Sequence, residues 1–309
     1  MRISLRQLQI FIAICRSGST AAAAELVSLS QSATSASLNE LESLLNTELF
    51  DRIGKKLVLN ENGRQILPHA MQAIDISNSI QDQFNPNKQH TKSSLHIGAS
   101  TTIGNYLLPS LLSEYAKEAA ILPQIEIANT SNVASAVANF EVEFGLIEGP
   151  CHETDLLVEK WLEDELIIVS SNDHPLAIKS RRSKVTSKDL AGAGWLLRES
   201  KSGTREAVEN LLKNHMDQLN SAGEFSNSEA IKRSAAEGLG IACLSRSVVS
   251  DLLALGRLVE LSTTLPPLTR NLYIIQNKHK VISRWNQGFL EHCRKKGRMI
   301  NKSKKDSIS

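Results

Sequence analysis

The stretch "SGSTAAAAELVSLSQSATSASLNELESLL", Ser17 to Leu45, decides the fold of the N-terminal part of the chain. Gly18 ends a first helix, and Ser19 can cap a second helix whose four consecutive alanines let a neighbouring helix approach closely. The chain then turns at "SLS", and Ser30 can cap a third helix. Two helices joined by so short a turn form a helix-turn-helix.

The third helix has an apolar face and a polar face. Leu38, Leu41 and Leu45 recur at helical spacing, so we expect them to be buried. The opposite face should then present polar side chains that can reach base edges or phosphates in a major groove. The residues that we assign to DNA binding on this basis are Ser30, Gln31, Ser32, Thr34, Ser35 and Asn39.

The segment "ELFDRIGKKLVLNENG" predicts a β-hairpin that turns at Gly54. Arg52, Lys55 and Lys56 lie near its tip, where they are placed to contact phosphates. In isolation such residues are commonly no more than the solvated end of a hairpin. Their position directly after a helix-turn-helix favours a DNA-binding wing.

The whole chain has the composition of a soluble globular protein. Its 309 residues suffice for two or three domains, and 41% are hydrophobic and 22% charged. The first 20 residues lack the apolar run of a secretory signal, and no window approaches about 18 uninterrupted apolar residues, so we expect a cytoplasmic protein. The four cysteines show neither CxxC nor metal-ligand spacing, which predicts reduced thiols and no metal site.

The remainder of the chain alternates short apolar strands with helices. Residues 61–84 are helical in period, and 85–94 form a linker, so we assign 1–60 to the DNA-binding domain and 61–93 to a linker helix and hinge. The alternation over 94–300 predicts an α/β fold of two lobes, 94–164 plus 268–300 and 165–267. Two crossings near residues 164 and 267 would make a hinge beside a cleft.

The C-terminal segment "RKKGRMINKSKK" concentrates basic charge, although the chain as a whole carries a formal charge of only +2. We assign 301–309 to a basic tail. It is either a disordered, solvated end or a loose contact with nucleic acid.

The motifs of the first 67 residues resemble the winged helix-turn-helix of LysR-type transcriptional regulators. They are a first helix ending in Gly-Ser, an Ala-rich second helix, Ser-Gln opening the third, Leu-Glu near its end, and Leu-Phe-x-Arg before the wing. The resemblance implies promoter DNA as a partner, with RNA polymerase as a further one. It also implies a homodimer or a dimer of dimers in which the linker helix pairs antiparallel with a second copy. The α/β region resembles the effector-binding domain of the family, which is similar in fold to periplasmic binding proteins.

Four loops that follow predicted strands carry groups suited to a small oxyanion, because a hydroxyl donates one hydrogen bond and a helix N-terminus favours negative charge. Each Ser or Thr alone is commonly only a helix cap; their convergence on a cleft favours an effector site. Arg205 would supply charge or brace its loop against Glu199 or Glu206. The residues assigned to effector binding are Ser100, Thr101, Thr102, Ser131, Glu148, Ser202, Thr204 and Arg205.

Five further segments, "TIGNYLLP", "IEGPCH", "LRESKSGTRE", "NSEAIK" and "GLGIACLSR", resemble the YeiE subgroup of that family. The resemblance implies a small oxyanion effector, with sulfite or a related sulfur species as the leading candidate and a small organic acid as the alternative. No GxSxG, HExxH or Walker-type motif is present, so we expect no enzyme and no cofactor. A solute-binding protein shares the two-lobed fold but would not begin with a winged helix-turn-helix.

Overall fold

The computed structural model describes residues 3–54, 56–84, 95–117, 122–215, 219–278, 280 and 284–306. These residues fall into two compact units. The first is drawn from residues 1–93 and 278–288, and the second from residues 94–277 and 289–309. Within the described ranges no helix is long and apolar enough to cross a bilayer.

The first unit is a winged helix-turn-helix followed by one long helix. Its elements are α1 (Leu5–Ser17), α2 (Thr20–Leu26), α3 (Gln31–Leu45), β1 (Phe50–Ile53), β2 (Lys56–Leu59) and α4 (Glu61–Phe84). The predicted caps are present, since the hydroxyls of Ser19 and Ser30 accept hydrogen bonds from the backbone N–H groups of Ala22 and Ala33. Gly18 ends α1 at φ 70°, a left-handed conformation that suits glycine.

The core of this unit comes from the apolar faces of α1, α2 and α3. Phe11 is fully buried and its ring centroid lies 5.5 Å from that of Phe50 at the start of the wing. Ala23 and Ala24 are buried on α2, as expected of small residues that allow close helix packing. The aromatic pair therefore fixes the wing against the helix-turn-helix.

The second unit is a two-lobed α/β structure. Its strands are β3 (His96–Ser100), β4 (Gln124–Ala128), β5 (Phe144–Glu148), β6 (Leu156–Ser170), β7 (Trp195–Arg198), β8 (Ser221–Phe225), β9 (Ala242–Ser245), β10 (Val259–Glu260) and β11 (Leu268–Asn277). Its helices are α5 (Leu108–Tyr115), α6 (Thr130–Ala138), α7 (Pro175–Ser180), α8 (Ser187–Ala191), α9 (Gly203–Leu212), α10 (Ser228–Ala236), α11 (Arg246–Ala254) and the part of α12 (Arg284–Asp306) that begins at Phe289.

Two long strands carry the chain between the lobes. One sheet has the order β10-β6-β11-β5-β3-β4, and β9 also pairs with β6. Strands β3, β4 and β5 are parallel and belong to the first lobe, whereas β9 and β10 pair with the end of β6 in the second lobe. Strand β11 is antiparallel to β6 along its whole length. The lobes are thus joined by two paired strands, and the predicted crossings near 164 and 267 fall within β6 and at the start of β11.

Helix α12 contains most of the basic C-terminal segment. The indole Nε1 of Trp161 donates to the carbonyl oxygen of Cys293 (2.8 Å), and the amide of Asn301 donates to the carbonyl oxygen of Trp161 (2.9 Å). The helix continues to Asp306. The interpretation of a disordered end is therefore wrong up to Asp306, because the helix packs against β6; residues 307–309 lie outside the described residues.

Candidate functional site

The start of α3 presents most of the predicted groove-facing side chains to solvent. Ser30, Gln31, Ser32 and Asn39 are exposed, and Ser35 is half-buried. The hydroxyl of Ser30 serves as the helix cap and lies 3.0 Å from that of Ser32. The start of α3 therefore presents polar side chains at a surface that a nucleic acid could reach.

Thr34 is a correction to the predicted set. Its side chain is fully buried, and its hydroxyl has no hydrogen-bond partner among the described residues. The reason is helical period: Thr34 precedes Leu38 by four residues and Leu41 by seven, which places it on the buried face. The same spacing was visible in the sequence.

The wing carries exposed basic side chains, as predicted. Arg52 is on β1 opposite Leu57, and Lys56 opens β2 opposite Ile53. Gly54 turns the hairpin at φ 63°. Lys55, the third predicted residue, lies outside the described residues.

A buried arginine that the sequence analysis missed organises the region between the lobes. The guanidinium of Arg270, on β11, donates to the hydroxyls of Thr204 (2.8 Å) and Thr102 (3.3 Å). It also pairs with the carboxylates of Glu148 (2.7 Å) and Asp164 (2.8 Å). Thr102 belongs to the first lobe and Thr204 to the second. One guanidinium therefore links both lobes and the connecting strand β6.

The charge of Arg270 is maintained by its carboxylate partners. Burial alone would lower its pKa, but Glu148 and Asp164 more than offset that effect and hold the pKa of Arg270 above its ordinary value. The alternation of side chains along a strand could have indicated that Arg270 is buried. Arg270 lies on the same face of β11 as Leu268 and Leu272, and all three are buried. A charged residue on the buried face of a strand needs partners.

Arg198 makes a second buried link between the lobes. Its Nη1 donates to the hydroxyl of Thr101, in the first lobe, and to that of Ser228, in the second, both at 2.9 Å. Its other nitrogens donate to the two carboxylate oxygens of Glu199. Four of the predicted hydroxyls, those of Ser100, Thr102, Ser202 and Thr204, are also buried here. The Ser100 hydroxyl has no hydrogen-bond partner within the described part of the chain.

Two glycines bring the backbones of the lobes close together. A Cβ on Gly149, which has φ 80°, would lie 2.8 Å from the carbonyl oxygen of Gly203. A Cβ on Gly203 would lie 1.7 Å from the carbonyl oxygen of Glu148 and 2.5 Å from the hydroxyl oxygen of Thr130. No other residue fits at 203 without moving the backbone.

A cavity of about 240 Å³ opens beside this contact. It lies between the N-termini of α6 and α9, so free N–H groups and two helix dipoles are directed at it. Ser131 and the exposed Lys201 line it, and the His152 imidazole pairs with Glu206 across it at 2.9 Å. Of the predicted effector residues Ser131 borders this space, whereas Thr102, Glu148 and Thr204 are bonded to Arg270.

Two other predicted effector residues have structural partners. The hydroxyl of Ser202 caps α9 by accepting from the N–H of Thr204 at 3.2 Å. The guanidinium of Arg205 donates to the carbonyl oxygen of Arg198 at 2.8 Å and pairs with Glu209. Arg205 thus braces its loop, but the expected partners are corrected: Glu199 is held by Arg198, and Glu206 by His152.

The winged helix-turn-helix and the two-lobed domain with its polar cleft each match a known family of domains. Residues 5–64 match the bacterial regulatory helix-turn-helix protein, lysR family, and residues 88–298 match the LysR substrate binding domain. The chain belongs to the LysR family. It is therefore a DNA-binding transcriptional regulator with an effector-binding domain, and not an enzyme.

Two relatives of this LysR-family regulator cover nearly its full length, and a third covers its effector-binding part. It is 44% identical over 294 residues to the HTH-type transcriptional regulator YeiE of Escherichia coli (strain K12). The aligned residues are 95% of this chain and 98% of that protein. A full-length OxyR variant from Pseudomonas aeruginosa superposes with a TM-score of 0.75 at 22% identity, over 95% of both chains. The CcmR regulatory domain of Synechocystis, in complex with 2-PG, superposes with a TM-score of 0.58 at 28% identity, over 65% of this chain and 95% of that one.

Proposed function

We propose that this regulator changes its DNA binding when a small oxyanion occupies the cleft between the two lobes. The observation that carries the proposal is the cavity between the N-termini of α6 and α9. An anion there would meet backbone N–H groups, the hydroxyl of Ser131 and the ammonium of Lys201. Donors that converge on one space favour a small anion over a neutral molecule.

Sulfite or a related sulfur oxyanion is the first candidate, on the resemblance to the YeiE subgroup. A small organic acid is the second, and the size of the cavity favours it: about 240 Å³ exceeds what one ion the size of sulfite fills. The 2-PG complex of the related CcmR domain supports a small-molecule effector in this fold. Both candidates would use the same donors.

The DNA-binding surface would be the exposed start of α3 together with the wing. A homodimer or dimer of dimers, paired through α4, would present two or four such surfaces to promoter DNA, and bivalent binding raises affinity without new contacts. Ile76 and Ile80 are exposed on α4, as expected of a helix whose partner is a second copy. With promoter DNA as its target the protein would act in the cytoplasm, where RNA polymerase would be a further partner.

Calorimetry on the full-length protein tests the effector. We expect sulfite, or one of a panel of small carboxylates, to bind, and Lys201→Met and Ser131→Ala each to weaken that binding by roughly tenfold, the loss expected for one hydrogen bond to a charged group. Lys188→Met is the matched control, since Lys188 is exposed in the same lobe outside the cavity. If no anion of the panel binds, or if both cavity variants bind like the control, the proposed site is wrong.

Retarded migration of promoter DNA tests the other half of the function. The full-length protein should bind a specific duplex more tightly than an unrelated one, and the effector should alter that difference. Equal migration of both duplexes, with and without anion, would contradict sequence-specific regulation.

A further inference from the structure

Tyr106 crosses from the first lobe to the second. Its ring packs against the apolar core of the second lobe. Its hydroxyl donates to the carboxylate of Glu229 and accepts from the ammonium of Lys232 at 3.3 Å. The ammonium also lies 5.5 Å from the centroid of the ring. A single first-lobe side chain thus takes part in the core and in the charge network of the second lobe.

Lys232 makes this contact costly to lose. Its side chain is only 2% exposed, and its ammonium pairs with Glu229 (2.8 Å) and Asp251 (3.0 Å). The hydroxyl of Tyr106 joins the network as donor and acceptor at once, which a phenyl ring cannot do. A buried ammonium that loses a partner pays a desolvation penalty, so withdrawal of Tyr106 is opposed by more than one ordinary hydrogen bond.

The backbone around Tyr106 connects it to the effector loop. A π-helical turn, Ile103–Leu107, follows directly after Ser100, Thr101 and Thr102 and continues into α5. An extra residue in a turn rotates the side chains that follow by about 100° relative to an α-helix, and such turns occur often at functional sites. Gly104 in this turn lies against Ile127 of β4, and a Cβ on Gly104 would be only 2.7 Å from the Cγ1 atom of Ile127. One side of the turn is therefore fixed to the first lobe while Tyr106 reaches the second.

We propose that Tyr106, Glu229 and Lys232 form a latch that holds the lobes together and couples the loop Ser100–Thr102 to α10. An anion in the cavity between the N-termini of α6 and α9 would contact the same two lobes that the latch joins, so its binding and the latch would depend on each other. The coupling to an anion rests on the proposed function. The latch itself does not, because it is built from contacts within the protein.

Hydrogen–deuterium exchange of the full-length protein without any anion tests the latch. Tyr106→Phe should raise exchange by roughly tenfold in residues 103–107 and 228–236, the factor expected when a hydrogen bond to a charged group is lost. It should also raise exchange at residues 203–206, which begin with the buried Gly203 at the distant contact with Gly149. A change in lobe closure would reach that third segment, and the control variant shows how much reaches it through α10 alone.

Arg233→Gln is the matched control, because Arg233 pairs with the same Glu229 but is exposed and does not contact Tyr106. It should change exchange within α10 alone. If Tyr106→Phe leaves residues 203–206 at the wild-type rate, the latch is refuted whatever the effector is. A sulfite titration of the wild type and both variants then tests the coupling. If the wild type binds sulfite, weaker binding by Tyr106→Phe supports the coupling, and binding equal to that of the wild type refutes it.

Discussion

Replacing Gly203 by alanine should separate the lobes where they touch. The added Cβ would lie 1.7 Å from the carbonyl oxygen of Glu148 and 2.5 Å from the hydroxyl oxygen of Thr130. Both of those atoms are committed, since the hydroxyl donates to that carbonyl oxygen at 2.8 Å. Neither is the free end of a flexible side chain. The backbone at residue 203 must therefore move by roughly 1.8 Å to bring the Cβ from 1.7 Å to an ordinary contact distance of about 3.5 Å.

That movement acts on the neighbouring residue, Thr204, whose hydroxyl accepts from Arg270. Forcing a methyl group into a close-packed contact costs about 1–3 kcal/mol. In a unit of roughly 200 residues, each kcal/mol lowers the melting temperature by about 2–4 °C. We therefore expect Gly203→Ala to melt between about 2 and 12 °C below the wild type.

Gly192→Ala is the control for this experiment. A Cβ there meets only carbonyl oxygens at 3.7 and 3.8 Å, and its φ of −79° is open to any residue. Its melting temperature should be unchanged or slightly raised, because alanine restricts the unfolded chain more than glycine does. Thermal unfolding followed by calorimetry measures both. Gly203→Ala melting within about 1 °C of Gly192→Ala would refute the claim that a methyl group at residue 203 forces the lobes apart.

Three further outcomes are expected. Lys56→Ala should weaken binding to all duplexes alike and reduce by about one the slope of log affinity against log salt concentration, whereas Gln31→Ala should change the preference between sequences. Binding titrations at several salt concentrations measure both effects. Equal effects of the two variants would contradict the assignment of phosphate contact to Lys56 and base contact to Gln31. Burial and the hydrogen bond to Glu229 raise the pKa of Tyr106 from 10.0 to about 12, so the folded state holds this proton more tightly and stability is lost as pH rises from about 10 to 12. Denaturation across that window should show a loss that Tyr106→Phe lacks, and identical curves would contradict it. Burial also raises the pKa of Cys151, and that of Cys243 to about 12, so mass spectrometry should find both thiols oxidised by peroxide more slowly than free cysteine at neutral pH; faster oxidation would contradict this.

The helix-turn-helix was legible in the sequence because its determinants are local. Gly18, Ser19 and Ser30 act within one turn of their own helices, and the structure has each of them in the predicted role. Thr34 is the exception, because its hydroxyl suggests an exposed position whereas its spacing from Leu38 and Leu41 places it on the buried face. A hydroxyl four residues before a buried leucine belongs to the buried face, whatever its preference for water.

The effector region was only partly legible because its partners are far apart in the chain. The hydroxyl loops were identified from their positions before helices, which is again local. Arg270 meets Thr102 and Glu148, which precede it by more than 100 residues. Nothing in its immediate neighbourhood beyond the alternation of β11 shows that a buried charge is satisfied there. Such a pair is specified by topology, through the strand pairing of β11 with β5 and β6.

Arg270 provides the sharpest test of that long-range design. Removing it by Arg270→Met leaves the carboxylates of Glu148 and Asp164 buried without their cation, and breaking a buried pair in this way costs about 3–5 kcal/mol. If the cost comes from the stranded charges, adding Glu148→Gln should recover part of it, because one carboxylate is then replaced by a neutral group of similar shape. Urea denaturation of the single and double variants measures the difference. A double variant less stable than Arg270→Met alone would show that the unpaired charge of Glu148 is not the source of the cost.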